Sequence, residues 1–299
     1  MPPARYIDPP EGAKFITSGG SGLIYSSPSN PTQVYKICSH DPESMQNIER
    51  EKLIYQNMMS VGQHPNIVKC VKVINNGVVL ERAHYGDLRD YYQKGGMATL
   101  AERIKWCRDL VRAVDYVHAL HIRHADICGK NILLDANRNI KLCDFAGSAF
   151  CGSPPTVSAE IGFAHPNRDH NRRATVIAEL HALGSTMYEI LTTKRPFAPE
   201  QEPAIIAQWL YNGIYPSVDH LPLGDVIMAC WKGKYPCILQ VEHAIQDEID
   251  WHVSHLGVDS GLLHGKKGPN RSLAGVEFTR GTTENKRMER WSYYGTKFM

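Results

Sequence analysis

The sequence predicts an α+β protein with two lobes, a small β-rich N-terminal lobe and a larger helical C-terminal lobe, with a crevice between them. From Phe15 to Leu80 the chain consists mostly of short β-branched runs broken by turn residues, a pattern typical of strands. After Gly86, long stretches repeat apolar residues at intervals of three and four, which indicates helices with one buried face.

Size and composition limit the classes of protein to consider. A chain of 299 residues can bury one large core or two modest ones, and a net charge of +2 predicts neither nucleic acid nor a membrane as a partner. The eight cysteines include no CxxC pair, so we expect free thiols in a reducing compartment. No apolar run reaches the length of a signal peptide or a membrane span. We therefore expect a cytoplasmic monomer, with the nucleus as an open alternative.

Four segments follow from these patterns. Residues 1–11 form a proline-rich irregular arm, 12–83 the small lobe, 84–250 the large lobe and 251–299 a C-terminal tail. The tail holds eight lysines and arginines against four acidic residues, a net charge of +4, and no periodicity persists in it. This composition favours a flexible tail. The alternative is an arm that binds an acidic partner or a phosphate-rich surface.

The segment HIRHADICGKNILLDANRNIKLCDFAGS carries the strongest chemical signal. Asp126 precedes Asn131 by five residues and Asp144 by eighteen, and two short strands joined by a turn would hold all three at one edge of a hairpin. Phosphoryl transfer needs an oriented hydroxyl and cations that neutralise a triphosphate. One aspartate for the hydroxyl, with an asparagine and a second aspartate as oxygen ligands for Mg²⁺, meets that need. The alternative is that these are ordinary polar residues of a hairpin turn.

HADICGKNILLD resembles the catalytic loop of eukaryotic protein kinases, and CDFAG resembles their magnesium-binding DFG motif. The resemblance runs from about Phe15 to about Ile249 and is closest to a divergent group common in filamentous fungi. It implies a bilobal protein-kinase-like fold, ATP and Mg²⁺ as cofactors, and a protein as substrate. By motif match, Asp126 takes the position of the catalytic base, and Asn131 and Asp144 take the two metal-ligand positions.

The resemblance also implies a glycine-rich loop over the phosphates, at Gly19, Gly20 and Gly22 in TSGGSGLIY. Thr17 stands where the family has its first glycine, and a plain β-turn is the alternative reading of this cluster. Lys36, at the end of the next strand, matches the lysine that contacts the α- and β-phosphates. It precedes Asp126 by ninety residues, which is close to the interval usual in the family.

A helix from about Glu43 to Met59 should supply the carboxylate partner of Lys36. Glu51 is the candidate, and it leads through ExxIYxxM to the family-like HPNIV segment. Glu49 is the weaker candidate because it lies two residues away, on another face of the helix. Either glutamate could instead be a surface residue. The apolar residues of this helix predict a buried face that contains Ile48, Leu53, Tyr55 and Met58.

The hinge between the lobes aligns with Leu80-Glu81-Arg82-Ala83. The resemblance implies that backbone groups of Glu81 and Ala83 bind the adenine edge and that Leu80 is the gatekeeper. Three further side chains would enclose the adenine ring, with Ile24 and Val34 above it and Leu133 below it.

Two departures from the family lie in the catalytic loop itself. Ala125 replaces the arginine that pairs with a phosphate on the activation loop, so phosphorylation there loses its usual electrostatic effect. We therefore expect that phosphorylation does not switch on the protein, although the loop contains Ser148, Ser153, Thr156 and Ser158. Cys128 replaces the lysine that contacts the γ-phosphate, and Lys130 could supply that charge instead.

Three further departures concern flexibility and bracing. Ala146 replaces the glycine of DFG, and Asn167 replaces the glutamate of the APE motif. Glu179 replaces an aspartate that braces the catalytic loop, which keeps the charge and adds a methylene.

The residues that match the family's phosphate- and metal-binding positions are kept in this chain, while those at its regulatory and bracing positions differ. This pattern predicts a working protein kinase with unusual control. We expect it to act on serine or threonine, with tyrosine as an open alternative. The alternatives are a pseudokinase that binds a nucleotide or partner without turnover, and a small-molecule phosphotransferase.

Overall fold

The computed structural model describes residues 9–19, 21–39, 41–198 and 202–256. Most of the predicted N-terminal arm, Gly20 and the tail beyond Leu256 lie outside the described residues.

The small lobe is built on a five-stranded antiparallel sheet with the strand order β1-β2-β3-β5-β4. Lys36 on β3 lies opposite Ile24 on β2 and Val78 on β5, so it occupies the middle of the sheet. The strands are β1 (Phe15–Gly19), β2 (Gly22–Ser26), β3 (Gln33–Ile37), β4 (Cys70–Ile74) and β5 (Gly77–Glu81).

Helix α1 (Pro42–Val61) joins β3 to β4 and packs on the sheet. Asp41 caps its N-terminus by accepting a hydrogen bond from the Ser44 N–H, which satisfies one of the free amides of the first turn. The buried face of α1 includes Ile48, Glu51, Ile54, Tyr55 and Met58. The prediction that Leu53 belongs to this face was wrong, since its side chain is 56% exposed. It lies five positions after Ile48, which places it on another side of a helix with 3.6 residues per turn.

The large lobe consists of helices around one short hairpin. The hairpin predicted from the sequence forms, with Ile132 opposite Leu142. The described elements are α2 (Leu88–Gln93), α3 (Leu100–Ala119), β6 (Ile132–Leu134), β7 (Ile140–Leu142), α4 (Arg168–Arg172), α5 (Val176–Thr192), α6 (Pro203–Tyr211), α7 (Gly224–Trp231) and α8 (Ile238–Leu256).

Helix α8 crosses the boundary predicted at residue 250. Its buried residues Ile238, Val241, Ile245 and Ile249 follow a helical spacing, and Trp251 continues the helix half-buried. None of the helices in the described ranges is both long and apolar enough to cross a membrane.

Helix α5 is the centre of the large lobe and is buried on nearly every side. Gly184 allows α7 to approach closely, because a Cβ atom at this position would lie 2.9 Å from the Cys230 Cβ. Glu179, Thr186 and Glu189 of α5 hydrogen-bond to backbone groups of His124, Ile127 and Gly129, and these contacts position the catalytic loop.

Phe145 joins the cores of the two lobes. Its fully buried ring makes edge-to-face contacts with Tyr55 of α1, at 5.7 Å between centroids, and with His124 of the catalytic loop, at 5.1 Å. These contacts fix the position of α1 relative to the large lobe.

We predict that Gly77→Ala destabilises the protein by about 1–3 kcal/mol, because the added Cβ would lie 2.0 Å from the Lys36 carbonyl oxygen and would push β5 away from β3. Gly19→Ala is the matched control, since nothing lies within 4 Å of its added Cβ. The free energy of unfolding in urea measures both. Equal stabilities of the two variants would show that the strands separate without cost.

Candidate active site

Three charged side chains from three elements meet between the lobes. The Lys36 Nζ lies 2.7 Å from Glu51 Oε2 and 2.7 Å from Asp144 Oδ1. The pairing of Lys36 with Glu51 expected from the sequence is therefore present. Glu49 forms a surface ion pair with Lys52 instead, at 2.6 Å.

Burial and charge compete at this cluster. Burial alone would lower the pKa of Lys36, but the carboxylates of Asp144 and Glu51 outweigh it and raise the pKa well above its usual value. For Asp144 burial is likewise outweighed, by the Lys36 charge and by hydrogen bonds from Lys36 and Ser21, so its pKa is lowered. Burial and the nearby Asp144 carboxylate raise the pKa of Glu51. Lys36 is thus a cation at neutral pH and bridges two carboxylates.

Ser21 reaches this cluster from the glycine-rich loop. Its Oγ donates a hydrogen bond to Asp144 Oδ1 at 3.0 Å, so the loop closes over the DFG-like segment. The sequence reasoning missed this residue, because a serine between glycines is also typical of an ordinary turn.

The catalytic loop presents an unpaired carboxylate oxygen. The Asn131 side-chain amide donates to the Asp126 carbonyl at 2.8 Å and to Asp126 Oδ2 at 2.9 Å. Asp126 Oδ1 is buried and has no hydrogen-bond partner within the described residues. Burial, with repulsion from Asp144 and Glu160, raises the pKa of Asp126 above its usual value despite His124 and Asn131. An unpaired acceptor of this kind suits an incoming hydroxyl group.

Glu179 of α5 holds the catalytic loop from below. Its two carboxylate oxygens accept hydrogen bonds from the His124 and Ala125 N–H groups, both at 2.8 Å, and Oε2 lies 3.2 Å from His118 Nε2. Ala125 has a φ of 67°, an unfavourable conformation for a residue with a Cβ. Glu179 therefore stabilises a strained turn directly before Asp126, and the extra methylene does not prevent it.

Lys130 does not stand free beside the catalytic aspartate. Its side chain is 61% exposed, and its Nζ lies 2.9 Å from Glu160 Oε1.

Arg89 of α2 donates from Nη1 to both oxygens of Glu160 at 2.8 Å, and its Nε donates to Glu189 Oε1 at 2.6 Å. Glu189 also accepts from the Gly129 N–H at 2.9 Å. The network of Arg89, Glu160 and Glu189 was absent from the sequence predictions.

The predicted adenine-binding residues lie next to Lys36. Val34 pairs with Leu80 across β3 and β5, and Ile24 lies opposite Lys36. Leu133 approaches from the large lobe, where it bridges to Asp87. Ile24, Val34 and Leu133 are half-buried, and Leu80 is nearly buried.

Some backbone hydrogen-bonding groups of the hinge are not used within the described part of the chain and are available to a ligand. The Glu81 N–H donates to the Lys69 carbonyl at 2.9 Å, and its side chain accepts from the Lys69 N–H and the Lys141 Nζ. Glu81 can therefore offer only its carbonyl. Within the described residues, the Ala83 N–H makes no hydrogen bond.

The glycine-rich loop depends on Gly22 more than on Gly19. Gly22 has a φ of 154°, and an added Cβ would lie 2.6 Å from the Ile37 carbonyl oxygen, whereas nothing lies near Gly19. Only glycine fits this approach of the loop to β3.

The residues present fit a nucleotide bound with Mg²⁺. Both Nδ2 hydrogen bonds of Asn131 go to Asp126, which leaves Asn131 Oδ1 as an acceptor, and the Asp144 side chain is 37% exposed. Among the described residues, no three His, Cys, Asp or Glu side chains cluster as a metal site. Mg²⁺ is commonly held by one or two protein oxygens together with phosphates and water, which agrees with this donor set.

We predict that Glu179→Gln lowers the free energy of unfolding by about 1–3 kcal/mol at pH 7, because one backbone N–H loses its carboxylate acceptor. Hydrogen bonds from His118 and nearby charge outweigh burial and lower the pKa of Glu179 below its ordinary 4.5. Its stabilisation is therefore complete above pH 4.5 and is lost as the pH falls through the folded-state pKa.

The difference between wild type and Glu179→Gln should thus shrink in urea unfolding at acidic pH. The exposed Glu11→Gln is the control and should change stability by less than about 0.5 kcal/mol. A difference that stays constant between pH 7 and pH 4 would contradict the assignment.

The protein kinase domain model matches residues 13–244. Serine/threonine-protein kinase SIK2 of Gallus gallus is 30% identical over 183 residues, which cover 55% of this chain and 21% of that protein. NUAK family SNF1-like kinase 2 of Homo sapiens is 32% identical over 189 residues, 58% of this chain and 28% of that protein. The chain therefore spans less than a third of the length of these relatives. Because the family model covers most of the chain and the fold is bilobal, this chain belongs to the protein kinase family.

Proposed function

We propose that this chain is an ATP- and Mg²⁺-dependent protein kinase that transfers the γ-phosphoryl group to a serine or threonine hydroxyl of a protein. The observation that carries the proposal is the cluster of Lys36, Glu51 and Asp144 beside the unpaired Asp126 oxygen. The similarity to serine/threonine kinases supports the class of acceptor.

Each residue has a separable role in this proposal. The Glu81 carbonyl and the Ala83 N–H bind the adenine edge, and Lys36, held by Glu51, binds the α- and β-phosphates. Asn131 and Asp144 hold Mg²⁺, which neutralises charge on the transferred group. Asp126 orients the acceptor hydroxyl and accepts its proton as the new O–P bond forms and the bond to the β-phosphate oxygen breaks.

Lys130 favours the second candidate, a pseudokinase. Its ammonium group is engaged by Glu160, so it stabilises a transferred phosphoryl group only if it exchanges partners. If it does not exchange, the chain binds nucleotide and acts as a scaffold.

We predict phosphoryl transfer from radiolabelled ATP with Mg²⁺ to a degenerate serine/threonine peptide mixture, abolished by EDTA. Asp126→Asn should lower the rate by roughly 10²-fold or more, the range for loss of a general base. Glu51→Gln should lower it by roughly 10-fold or more because Lys36 loses its anchor. Glu49→Gln, two residues away on the exposed face, is the matched control and should leave the rate unchanged.

Thermal unfolding with ATP and Mg²⁺ distinguishes the alternatives. Stabilisation without transfer by the wild type would identify a pseudokinase. No stabilisation by any purine nucleotide would disprove the ATP site.

The activation segment is held without a phosphate. Arg50 of α1 donates from Nη1 to the carbonyls of Ser148 at 2.9 Å and Pro154 at 2.8 Å, and Thr156 Oγ1 donates to Asn47 Oδ1 at 2.8 Å. Ser148 is fully buried, and its Oγ donates to the His124 carbonyl. We propose that these direct contacts replace phosphorylation as the means of ordering the segment.

We therefore predict that phosphatase treatment and joint replacement of Ser153 and Ser158 by alanine each change the transfer rate by less than about three-fold, since no phosphate contact is lost and the Thr156–Asn47 hydrogen bond is kept. Arg50→Ala should lower the rate by about 10-fold, equal to about 1.4 kcal/mol of transition-state stabilisation. Lys52→Ala on the same helix is the control, because among the described residues Lys52 hydrogen-bonds to Glu49 and the Asn75 carbonyl and not to the activation segment. A ten-fold loss after phosphatase treatment would contradict this mode of control.

We also propose a protein substrate and a cytoplasmic, monomeric protein. An acidic partner for the basic tail remains a prediction, since the tail beyond Leu256 lies outside the described residues.

A further inference from the structure

A cavity of about 510 Å³ opens on the large lobe, away from Lys36 and Asp126. It lies between helix α4, the first turn of α5, the segment after α6 and the end of α7. It is a wide depression open to solvent, and its volume lies within the range of about 300–1,000 Å³ found for small-molecule sites. The proposed phosphoryl transfer leaves it without a role.

The charged side chains that line this cavity are cationic. Its titratable lining residues are His165, His170, Tyr215, Lys232 and Lys234, and no carboxylate of the described residues lines it. Lys232 and Lys234 are exposed and form no ion pair within the described residues. Asn167 N–H donates to His165 Nδ1 at 3.0 Å, so Nε2 carries the ring proton and is a further donor. A cavity lined by donors and cations without a carboxylate selects an anion.

The floor of the cavity is apolar and rigid. The rings of Tyr215 and Trp231 stack with centroids 5.1 Å apart and planes 8° apart. Trp231 Nε1 donates to Ser185 Oγ at 2.9 Å, and Ser185 Oγ donates to the Gly162 carbonyl at 2.7 Å. Ile177, 38% exposed, adds an aliphatic wall. The cavity thus offers an apolar surface next to its cationic rim, which suits an anion that carries an organic group.

We propose that this cavity binds an organic phosphate monoester, with the phosphate on Lys232, Lys234 and the histidines and the organic group against Ile177 and the Tyr215–Trp231 floor. Phosphate accepts several charge-assisted hydrogen bonds at once, which matches two lysines and two imidazoles better than a single carboxylate does. The same chemistry is presented by a small phosphorylated molecule and by a phosphotyrosine side chain of a peptide.

Isothermal titration of the full chain with phenyl phosphate tests the proposal. Lys232→Ala/Lys234→Ala should weaken binding by at least about ten-fold, or about 1.4 kcal/mol. Lys14→Ala/Lys72→Ala removes the same charge from exposed sites in the small lobe and should bind as the wild type does. Ile177→Glu should abolish binding by placing a carboxylate in the cavity. It lies in the first turn of α5, where an acidic residue suits the helix dipole, so the variant should fold.

Two further arms identify the ligand. Lys36→Met should still bind phenyl phosphate, which separates this cavity from the nucleotide site. If a phosphotyrosine peptide binds more tightly than phenyl phosphate, the ligand is a peptide. If the peptide binds more weakly, the ligand is a small molecule. Either result supports the proposal. Inorganic phosphate binding as tightly as phenyl phosphate would overturn the organic class of ligand. Unchanged affinity in both Lys232→Ala/Lys234→Ala and Ile177→Glu, or no binding by the wild type, would overturn the site.

Discussion

The ammonium group of Lys36 holds the two lobes in register because it is buried and has two carboxylate partners on different elements. Glu51 belongs to the helix of the small lobe, and Asp144 follows the hairpin of the large lobe. An unpaired charge in this position would cost several kcal/mol, so moving α1 away is opposed by the desolvation of Lys36 as well as by lost packing. Phe145, between Tyr55 and His124, makes the same connection through apolar contacts. The charged cluster therefore cannot change its geometry without a change in the orientation of α1.

Helix α5 fixes the catalytic loop from beneath, as Lys36 fixes the two lobes. It is buried nearly all round, yet it carries Glu179 and Glu189, whose carboxylates accept backbone N–H groups on either side of Asp126. Buried carboxylates are tolerated only when such donors satisfy them. Glu179 holds Ala125 in a strained conformation directly before Asp126, and Glu189 holds Gly129 after it.

Much of this arrangement could be predicted because local patterns determine it. The run from Glu51 to the family-like HPNIV segment, together with the helix face, selected Glu51 over Glu49. Two short apolar runs joined by a turn predicted the hairpin that positions Asn131 and Asp144. Leu53 was misassigned because its apolar character outweighed its angular position on the helix. The network of Arg89, Glu160 and Glu189 could not be predicted, since its partners lie 71 and 100 residues apart and no local pattern relates them. The sequence suggested a free cation at Lys130, and only the tertiary structure shows the carboxylate that engages it.

Glu160 connects the catalytic loop to helix α2. It contacts Lys130, four residues after Asp126, and Arg89, whose guanidinium also lies 5.6 Å from the ring centroid of Phe163. Farther back along the segment, Arg50 binds two of its carbonyls from α1. The segment is thus fixed from the small lobe at one end and from α2 at the other, by cations that are permanently present. In the mode of control proposed above, a phosphate is redundant at these points, which agrees with the alanine at position 125. What remains adjustable is the partner of Lys130, because its pair with Glu160 is partly exposed and such a pair contributes little to stability.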